Sequence, residues 1–353
     1  MNDWHRQLSN ALRTKAEIAT ALNLSDDESA GLDRLKTSGG LPFTITPHFL
    51  SLIDASDVND PLRKQIVPNA QEFISSESLR RDPLGEEDHE VVPFLVHRYP
   101  DRVLLLATDR CAAYCRFCTR KRVVGQGPTA HFEHLNAAIA YVKEHPSIKE
   151  VIISGGDALM FDDEKLERLL TLVRAIPSVD IIRLATRMLA FAPQRVTPSL
   201  VRVLQKAAPI YVMTHFNHVN EINAETERSM AMLVEGGAVL LNQSVLLKGI
   251  NDNVETLSAL FRTLVRARAT PYYLHQCDLA PGTAHFRVPL KRAQRIVRNL
   301  RGNISGLCMP TFVIDIPGGF GKVPAEGVYE VSRNKDFVTL KGFANKEAEY
   351  PLD

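Results

Sequence analysis

Residues 102–119 read RVLLLATDRCAAYCRFCT, which joins an apolar run, Val103–Ala107, to a short loop that carries three cysteines. Cys111, Cys115 and Cys118 follow a C-x3-C-x2-C spacing. The apolar run predicts a buried strand, and the loop after it supplies three thiolates to one inorganic centre. An iron–sulfur cluster held by three cysteines keeps one iron open to a further ligand, so this stretch predicts both a strand and a cluster at its end.

From about Arg102 onward, short apolar runs alternate with amphipathic stretches, which is typical of parallel βα units. The predicted strands are Val103–Ala107, Val151–Ser154, Ile181–Ala185, Ile210–Thr214, Val239–Asn242 and Tyr272–His275. The predicted helices are Leu135–Glu144, Glu164–Ala175, Pro198–Lys206, Ala224–Glu235, Val254–Arg268 and Leu290–Leu300. Six consecutive units predict an α/β fold, namely an open, partial (βα)6 barrel similar to a TIM barrel.

The barrel is predicted to cover residues 96–302, with a different segment on each side. Residues 1–95 read as an N-terminal helical extension that packs on the barrel, with helical segments such as Trp4–Leu22. Residues 303–353 form a C-terminal segment, which is rich in charge after Val323 and is expected to contain a strand and an extended arm.

Polar or reactive residues follow every predicted strand. They are the cysteine loop, Gly155-Gly156-Asp157, Thr186-Arg187, His215-Phe216-Asn217-His218, Gln243-Ser244 and Gln276-Cys277-Asp278. In barrels of this kind the active site forms at the carboxyl ends of the strands, in the loops that follow them. Six such positions in series predict one shared site at that rim.

Composition bounds the cellular setting and the partners. The chain has 353 residues, a net charge of +1 and five cysteines, an odd number that makes a disulfide framework unlikely. The start, MNDWHRQ, lacks the features of a secretory signal, and no apolar segment is long enough to span a bilayer. We therefore expect a cytoplasmic protein that binds neither nucleic acid nor membrane. A zinc site completed by Cys277 or Cys308 is the alternative for the cysteine triplet.

The cysteine spacing, with Phe117 before the last cysteine, resembles the radical S-adenosylmethionine (SAM) signature. Three further stretches, HRYPDR at 97–102, SGGD at 154–157 and PGGFGK at 317–322, make the chain similar to the lysine 2,3-aminomutase family from roughly Leu79 to Pro324. That family combines a radical SAM barrel and its [4Fe–4S] cluster with pyridoxal 5′-phosphate (PLP). The resemblance implies all three cofactors here.

The resemblance also implies the residues that hold them. Cys111, Cys115 and Cys118 are the cluster ligands, and Lys322 is the amine that forms a Schiff base with PLP. Arg98, Tyr99 and Arg102 match the contacts of the PLP phosphate and ring, since guanidinium groups suit a dianionic phosphate. Gly155, Gly156, Asp157, His215 and Gln243 match positions around SAM. Phe320 departs from the more uniform glycine run that we expect beside the lysine.

For the substrate, Arg120 matches the position that holds the amino-acid carboxylate in the family. Asp278 and Asp315 match two acidic positions that receive the distant ammonium group of lysine. Two carboxylates that converge on one buried pocket repel each other unless a cation neutralises them, so the pair favours a cationic side chain and rejects glutamate.

The implied reaction interconverts L-lysine and β-lysine, which makes the chain an isomerase. Moving an amino group from the α to the β carbon needs a radical at the β carbon and a π bond on the migrating nitrogen. A 5′-deoxyadenosyl radical supplies the first, and the PLP aldimine of the substrate supplies the second. An external electron donor such as flavodoxin or ferredoxin is expected, as is a homo-oligomer. The alternatives are another amino acid, glutamate or arginine, supply of β-lysine for translation-factor modification, and a non-catalytic metal-binding barrel.

Overall fold

The computed structural model describes residues 3–38, 40–125, 132–342 and 346–352. The strands of its main sheet are β1 (Glu90–Val92), β2 (Leu95–Tyr99), β3 (Arg102–Thr108), β4 (Glu150–Gly155), β5 (Ile181–Ala185), β6 (Ile210–Thr214), β7 (Val239–Leu246), β8 (Ala269–Gln276), β9 (Thr311–Asp315) and β10 (Lys322–Pro324). They lie side by side in chain order. β3 to β9 run parallel, whereas β1, β2 and β10 pair antiparallel at the two edges. This topology confirms the predicted α/β partial barrel.

The α-helices are α1 (Asp3–Ser9), α2 (Lys15–Ala21), α3 (Asp26–Ser38), α4 (Pro47–Leu50), α5 (Arg63–Ile66), α6 (Phe132–Glu144), α7 (Asp163–Arg174), α8 (Met188–Phe191), α9 (Pro198–Lys206), α10 (Ala224–Glu235), α11 (Val254–Arg266) and α12 (Leu290–Leu300). Short 3₁₀ helices span Ala70–Phe73, Glu87–His89, Ala158–Met160, Pro193–Arg195, Val219–Glu221, Ala284–Phe286 and Gly306–Cys308. Nothing in the described part of the chain is a helix long and apolar enough to cross a membrane.

All six predicted barrel helices are present, three of them with the predicted bounds. α9, α10 and α12 have the predicted bounds, and α6, α7 and α11 differ by at most three residues at an end. The Thr197 side chain accepts the backbone N–H of Leu200, and Pro198 occupies the first turn, so both fix the start of α9. α7 buries Leu166, Leu169, Leu170 and Val173, a helical spacing that turns one face toward the core.

The structure adds a seventh parallel strand, β9, to the six that the alternating pattern predicts. No helix follows β9, so a pattern that pairs each strand with a helix does not reveal it. The chain instead reverses through a glycine turn, in which Gly318, Gly319 and Gly321 have φ values of 93°, 82° and 94°. Glycine adopts these values without the clash that a Cβ atom introduces. The reversal pairs β10 with β9 and sets Lys322 opposite Asp315.

The N-terminal extension departs from the predicted helix over Trp4–Leu22. That segment is divided, because Thr14 and Glu17 form a capping box that starts α2 afresh. Between the two helices, Leu12 exchanges backbone hydrogen bonds with Ile45. At the other end of the chain, β11 (Glu330–Arg333), β12 (Phe337–Lys341) and β13 (Glu347–Pro351) form a separate antiparallel sheet. The division at residues 95 and 302 stays a prediction.

Candidate functional site

The three predicted cluster cysteines lie together in the loop after β3. Burial raises the pKa of the Cys118 thiol to about 11, and the charge of Cys115 adds to this rise. Burial also raises the pKa of Cys111 well above the usual thiol value, with Asp157 and the other two cysteines contributing. Buried thiolates that repel one another are stabilised by a cationic iron core, so this donor set fits a [4Fe–4S] cluster.

A single-ion site fits less well. Over the ranges that the structure describes, no three His, Cys, Asp or Glu side chains converge on one ion. A cluster does not need such convergence, because each thiolate binds its own iron atom. Cys308 packs in the main hydrophobic core and Cys277 in a small apolar cluster around Phe117.

Gly155 and Gly156 let the end of β4 touch the cysteine loop. Gly155 has a φ of 112°, and a Cβ atom on it would collide with the carbonyl oxygen of Thr108. A Cβ atom on Gly156 would lie 2.6 Å from the carbonyl carbon of Arg110, the residue before Cys111. These glycines therefore position the loop, a role that the Gly-Gly pair alone does not reveal.

Asp157 is buried, and both of its carboxylate oxygens are engaged within the protein. One oxygen accepts hydrogen bonds from the Leu159 N–H at 2.9 Å and the Thr186 hydroxyl at 2.7 Å, and the other accepts the Arg187 N–H at 2.6 Å. Asp157 thus joins the ends of β4 and β5 next to the cysteine loop. Because the Asp157 carboxylate is already engaged, we expect the backbone of Gly155 and Gly156 to contact SAM, and this contact stays a prediction.

The barrel interior holds a cavity of about 390 Å³. Six predicted site residues line it: Arg98, Tyr99, Arg102, Arg120, Gln243 and Lys322. The rest of the wall consists of apolar side chains and of four further residues that the sequence does not single out. These four are Arg183, Glu150, Tyr272 and Tyr273. Several cationic groups that line one cavity form an environment that fits a dianionic phosphate.

Lys322 is held in this cavity by contacts with β2 and β9. Its backbone N–H donates to the Tyr99 hydroxyl at 3.0 Å, and its ammonium group donates to Asp315 Oδ1 at 2.8 Å. The Arg102 guanidinium lies 3.8 Å from the centre of the Tyr99 ring, and that of Arg98 lies at 4.9 Å. The two arginines predicted for PLP therefore flank one tyrosine, whose hydroxyl holds the backbone of the predicted Schiff-base lysine, and this arrangement fits a phosphorylated aromatic aldehyde.

Asp278 and Asp315 lie near each other at the rim. Burial raises the pKa of Asp278, and the charge of Asp315 raises it further. Burial also opposes ionisation of Asp315, but His275 and Lys322 outweigh it and hold its pKa at about 2. Both carboxylates also line a second cavity of about 440 Å³ between β8, β9 and the start of α12. The predicted acidic pair therefore exists, with an ammonium group already bound to one member.

Arg120 makes a two-pronged contact with Glu86, a residue that the sequence does not single out. Its Nε and Nη2 each lie 2.9 Å from Glu86 Oε1. Burial opposes ionisation of Glu86, but Arg120 and Arg122 lower its pKa. Arg122 Nη2 lies 3.1 Å from the second Glu86 oxygen. A half-buried arginine whose partner is a carboxylate has the geometry to bind the carboxylate of an amino acid.

His215 directly follows β6, whereas Gln243 lies within β7, which continues to Leu246 and does not end at Asn242 as predicted. His215 Nε2 is 3.2 Å from Asn217 Oδ1, and burial, followed by the charges of Arg187 and His275, lowers its pKa far below the usual value. His215 is therefore a neutral imidazole at physiological pH. Gln243 lines the interior cavity.

His275 lies beside Asp315 in the site, and the sequence does not single it out as a site residue. Its Nδ1 lies 3.5 Å from Asp315 Oδ2, and its Nε2 is buried without a hydrogen-bond partner. The last position of the predicted strand Tyr272–His275 was the one available signal, since a strand end of this barrel faces the site.

Comparison with known families agrees with this architecture. Residues 105–259 match the family described as the radical SAM superfamily, and residues 297–352 match the family described as lysine-2,3-aminomutase. The partial barrel with its three-cysteine loop is thus that of a radical SAM enzyme.

Curated relatives narrow the class. The L-lysine 2,3-aminomutase of Acetoanaerobium sticklandii is 46% identical over 97% of this chain and 82% of its own length, and that of Clostridium subterminale is 45% identical over the same shares. The glutamate 2,3-aminomutase of Clostridioides difficile is 36% identical over 98% of this chain and 81% of its own length. The chain belongs to the lysine 2,3-aminomutase family. It is an isomerase that uses a [4Fe–4S] cluster, SAM and PLP.

Proposed function

We propose that the chain interconverts L-lysine and β-lysine and that Asp278 and Asp315 select the substrate. The observation that carries this proposal is the 2.8 Å contact between Asp315 and the ammonium group of Lys322. That group is chemically the same as the distant end of a lysine substrate. A pocket with two buried carboxylates favours such a cation and repels the side chain of glutamate.

Three sets of residues bind the cofactors in this proposal. Cys111, Cys115 and Cys118 bind the cluster. Gly155, Gly156, Asp157, His215 and Gln243 surround SAM, with Asp157 acting through the backbone that it fixes. Lys322 binds PLP covalently, and Arg98, Tyr99 and Arg102 hold the PLP phosphate and ring.

When bound, the reduced cluster with SAM supplies a radical that removes a β hydrogen, and PLP supplies the π bond across which the amino group moves. The residues of the chain bind and orient the substrate. Arg120 exchanges Glu86 for the α-carboxylate, while Asp278 and Asp315 hold the far ammonium group. Holding both ends fixes the carbon chain across the cavity, and the enclosed barrel keeps water from a reactive centre.

The physiological electron donor, a flavodoxin or ferredoxin in our proposal, supplies the electron for each priming event. A homo-oligomer and a cytoplasmic location also stay predictions. The C-terminal sheet supports assembly, because it exposes the apolar side chains of Val331 and Tyr350.

An anaerobic assay with reductant, SAM and PLP tests the substrate. The assay compares four substrates: lysine, glutamate, arginine and alanine. It is run on wild type, on Asp278→Asn and on the control Asp336→Asn, whose carboxylate is exposed in the C-terminal segment. We expect turnover of lysine. Asp278→Asn removes the carboxylate partner of the buried substrate ammonium group, which costs at least about 2 kcal/mol. The kcat/KM for lysine should therefore fall roughly 30-fold or more in Asp278→Asn and stay unchanged in Asp336→Asn. Faster turnover of glutamate than of lysine by wild type contradicts the proposal.

A further inference from the structure

Arg187 is a buried arginine that faces a cluster cysteine. It follows β5 directly, and only 7% of its surface is exposed. Its Nη1 donates to the Sγ atom of Cys115 at 2.8 Å. The residue lies at the rim where the site forms, yet none of the assigned functions uses it.

Other bonds hold the Arg187 guanidinium in place. Its Nε donates to the backbone oxygen of His215 at 3.3 Å, and its Nη2 donates to Glu221 Oε2 at 3.0 Å and to the side-chain oxygen of Gln65. The guanidinium carbon lies 4.7 Å from the centre of the Phe191 ring and 5.3 Å from that of Phe117. A planar cation held from several sides presents one fixed N–H group to the sulfur.

Glu221, which among the described residues is the one carboxylate in contact with this cation, is shared with other donors. Its Oε1 accepts the backbone N–H groups of Asn217 and His218, each at 2.9 Å, and the Gln65 amide at 3.1 Å. Four donors therefore divide the charge of Glu221. The field of Arg187 at Cys115 is for that reason only partly cancelled, and the surrounding burial keeps water from screening it.

Gln65 connects this arrangement to the N-terminal extension. Its backbone oxygen accepts the N–H of Arg116, which follows Cys115, at 2.8 Å. Its side chain bonds to Arg187 and Glu221. The extension thus fixes both the cysteine loop and the cation that faces it.

We propose that Arg187 is a positioning residue that fixes Cys115 for the cluster and makes the cluster easier to reduce. Reduction adds one negative charge to the cluster, and this charge spreads over the sulfurs. A cation and an N–H donor at a sulfur stabilise the reduced state more than the oxidised one. The inference rests on the assignment of the cluster to the three cysteines and does not depend on which amino acid is the substrate.

The test is an anaerobic redox titration of the reconstituted cluster without SAM, followed by the electron paramagnetic resonance of the reduced form. Arg187→Met is compared with wild type and with Arg195→Met, a control at another buried arginine, which bonds to Asp163 and backbone oxygens away from the cysteines. We expect reduction of Arg187→Met to be at least about tenfold less favourable, a midpoint at least about 59 mV more negative. The Arg195→Met midpoint should equal that of wild type.

Two further variants keep the test informative when Arg187→Met does not bind a cluster. Arg187→Gln keeps a donor without the charge and should lie between Arg187→Met and wild type, whereas Arg187→Lys keeps the charge and should lie closest to wild type. Failure of every Arg187 variant to hold a cluster, while Arg195→Met holds one, supports the positioning role. A midpoint equal to wild type in Arg187→Met or Arg187→Gln overturns the inference. Absence of a cluster in wild type instead overturns the assignment of the three cysteines.

Discussion

Replacing Gly156 by alanine should abolish cluster binding, although the substitution adds one methyl group at a position 38 residues beyond the last cluster cysteine, Cys118. The new Cβ meets the backbone of Arg110, which cannot rotate away as a side chain can. Relief requires β4 and the cysteine loop to separate. That movement breaks the hydrogen bonds from the Gly156 N–H to Thr108 and from the Asp157 N–H to Arg110.

Each buried N–H group left without a partner costs about 1–3 kcal/mol, so the two bonds together set a cost of about 2–6 kcal/mol. The assay measures iron and sulfide bound per chain after anaerobic reconstitution, with denaturant unfolding of the metal-free protein alongside. Gly306→Ala is the matched control, because a Cβ atom there meets nothing within 4 Å. A Gly156→Ala protein that binds iron and unfolds like wild type would refute the packing argument.

Three other substitutions or conditions give defined outcomes. Lys322→Ala removes the amine near Asp315, so borohydride reduction should no longer attach PLP to the chain. Mass spectrometry of the reduced protein measures this attachment. Attachment of PLP in this variant excludes Lys322 as the Schiff-base residue. Because the pKa of Asp278 is raised, lowering the pH should protonate Asp278 before an ordinary carboxyl group. The KM for lysine should therefore rise at mildly acidic pH. A KM that does not change with pH in wild type counts against a binding role for Asp278. Phe320 is 79% exposed, so Phe320→Ala should change the free energy of unfolding by no more than about 0.5 kcal/mol. A larger loss of stability shows that this side chain packs against a surface.

The barrel was predictable because its signals are local. The start of α9 at Pro198 and the apolar spacing of α7 depend on neighbouring residues, and the predicted bounds are exact for α9 and within one residue for α7. β9 was not predictable in the same way, since its partner β8 is more than 30 residues away and no helix marks its end. The break between α1 and α2 was not predicted, although Thr14 and Glu17, which start α2, have the spacing of a capping box.

The site was predictable as a list of residues and not as a set of contacts. Resemblance named Lys322 and Asp315 separately, but their contact depends on the register of β10 on β9. Glu86 and Gln65 come from the N-terminal side of the barrel and meet Arg120 and Arg187 only in the folded chain. Residues that act by holding others carry no motif of their own, so the sequence did not reveal them.

The most direct measurement uses lysine labelled with ¹⁵N at its α-amino group, incubated anaerobically with the enzyme, reductant, SAM and PLP. Nuclear magnetic resonance then locates the label. We expect wild type to form β-lysine with ¹⁵N on the β carbon, and both Cys118→Ala and Lys322→Ala to form none. Label that stays on the α carbon, or that is released as ammonia, contradicts the proposed amino shift.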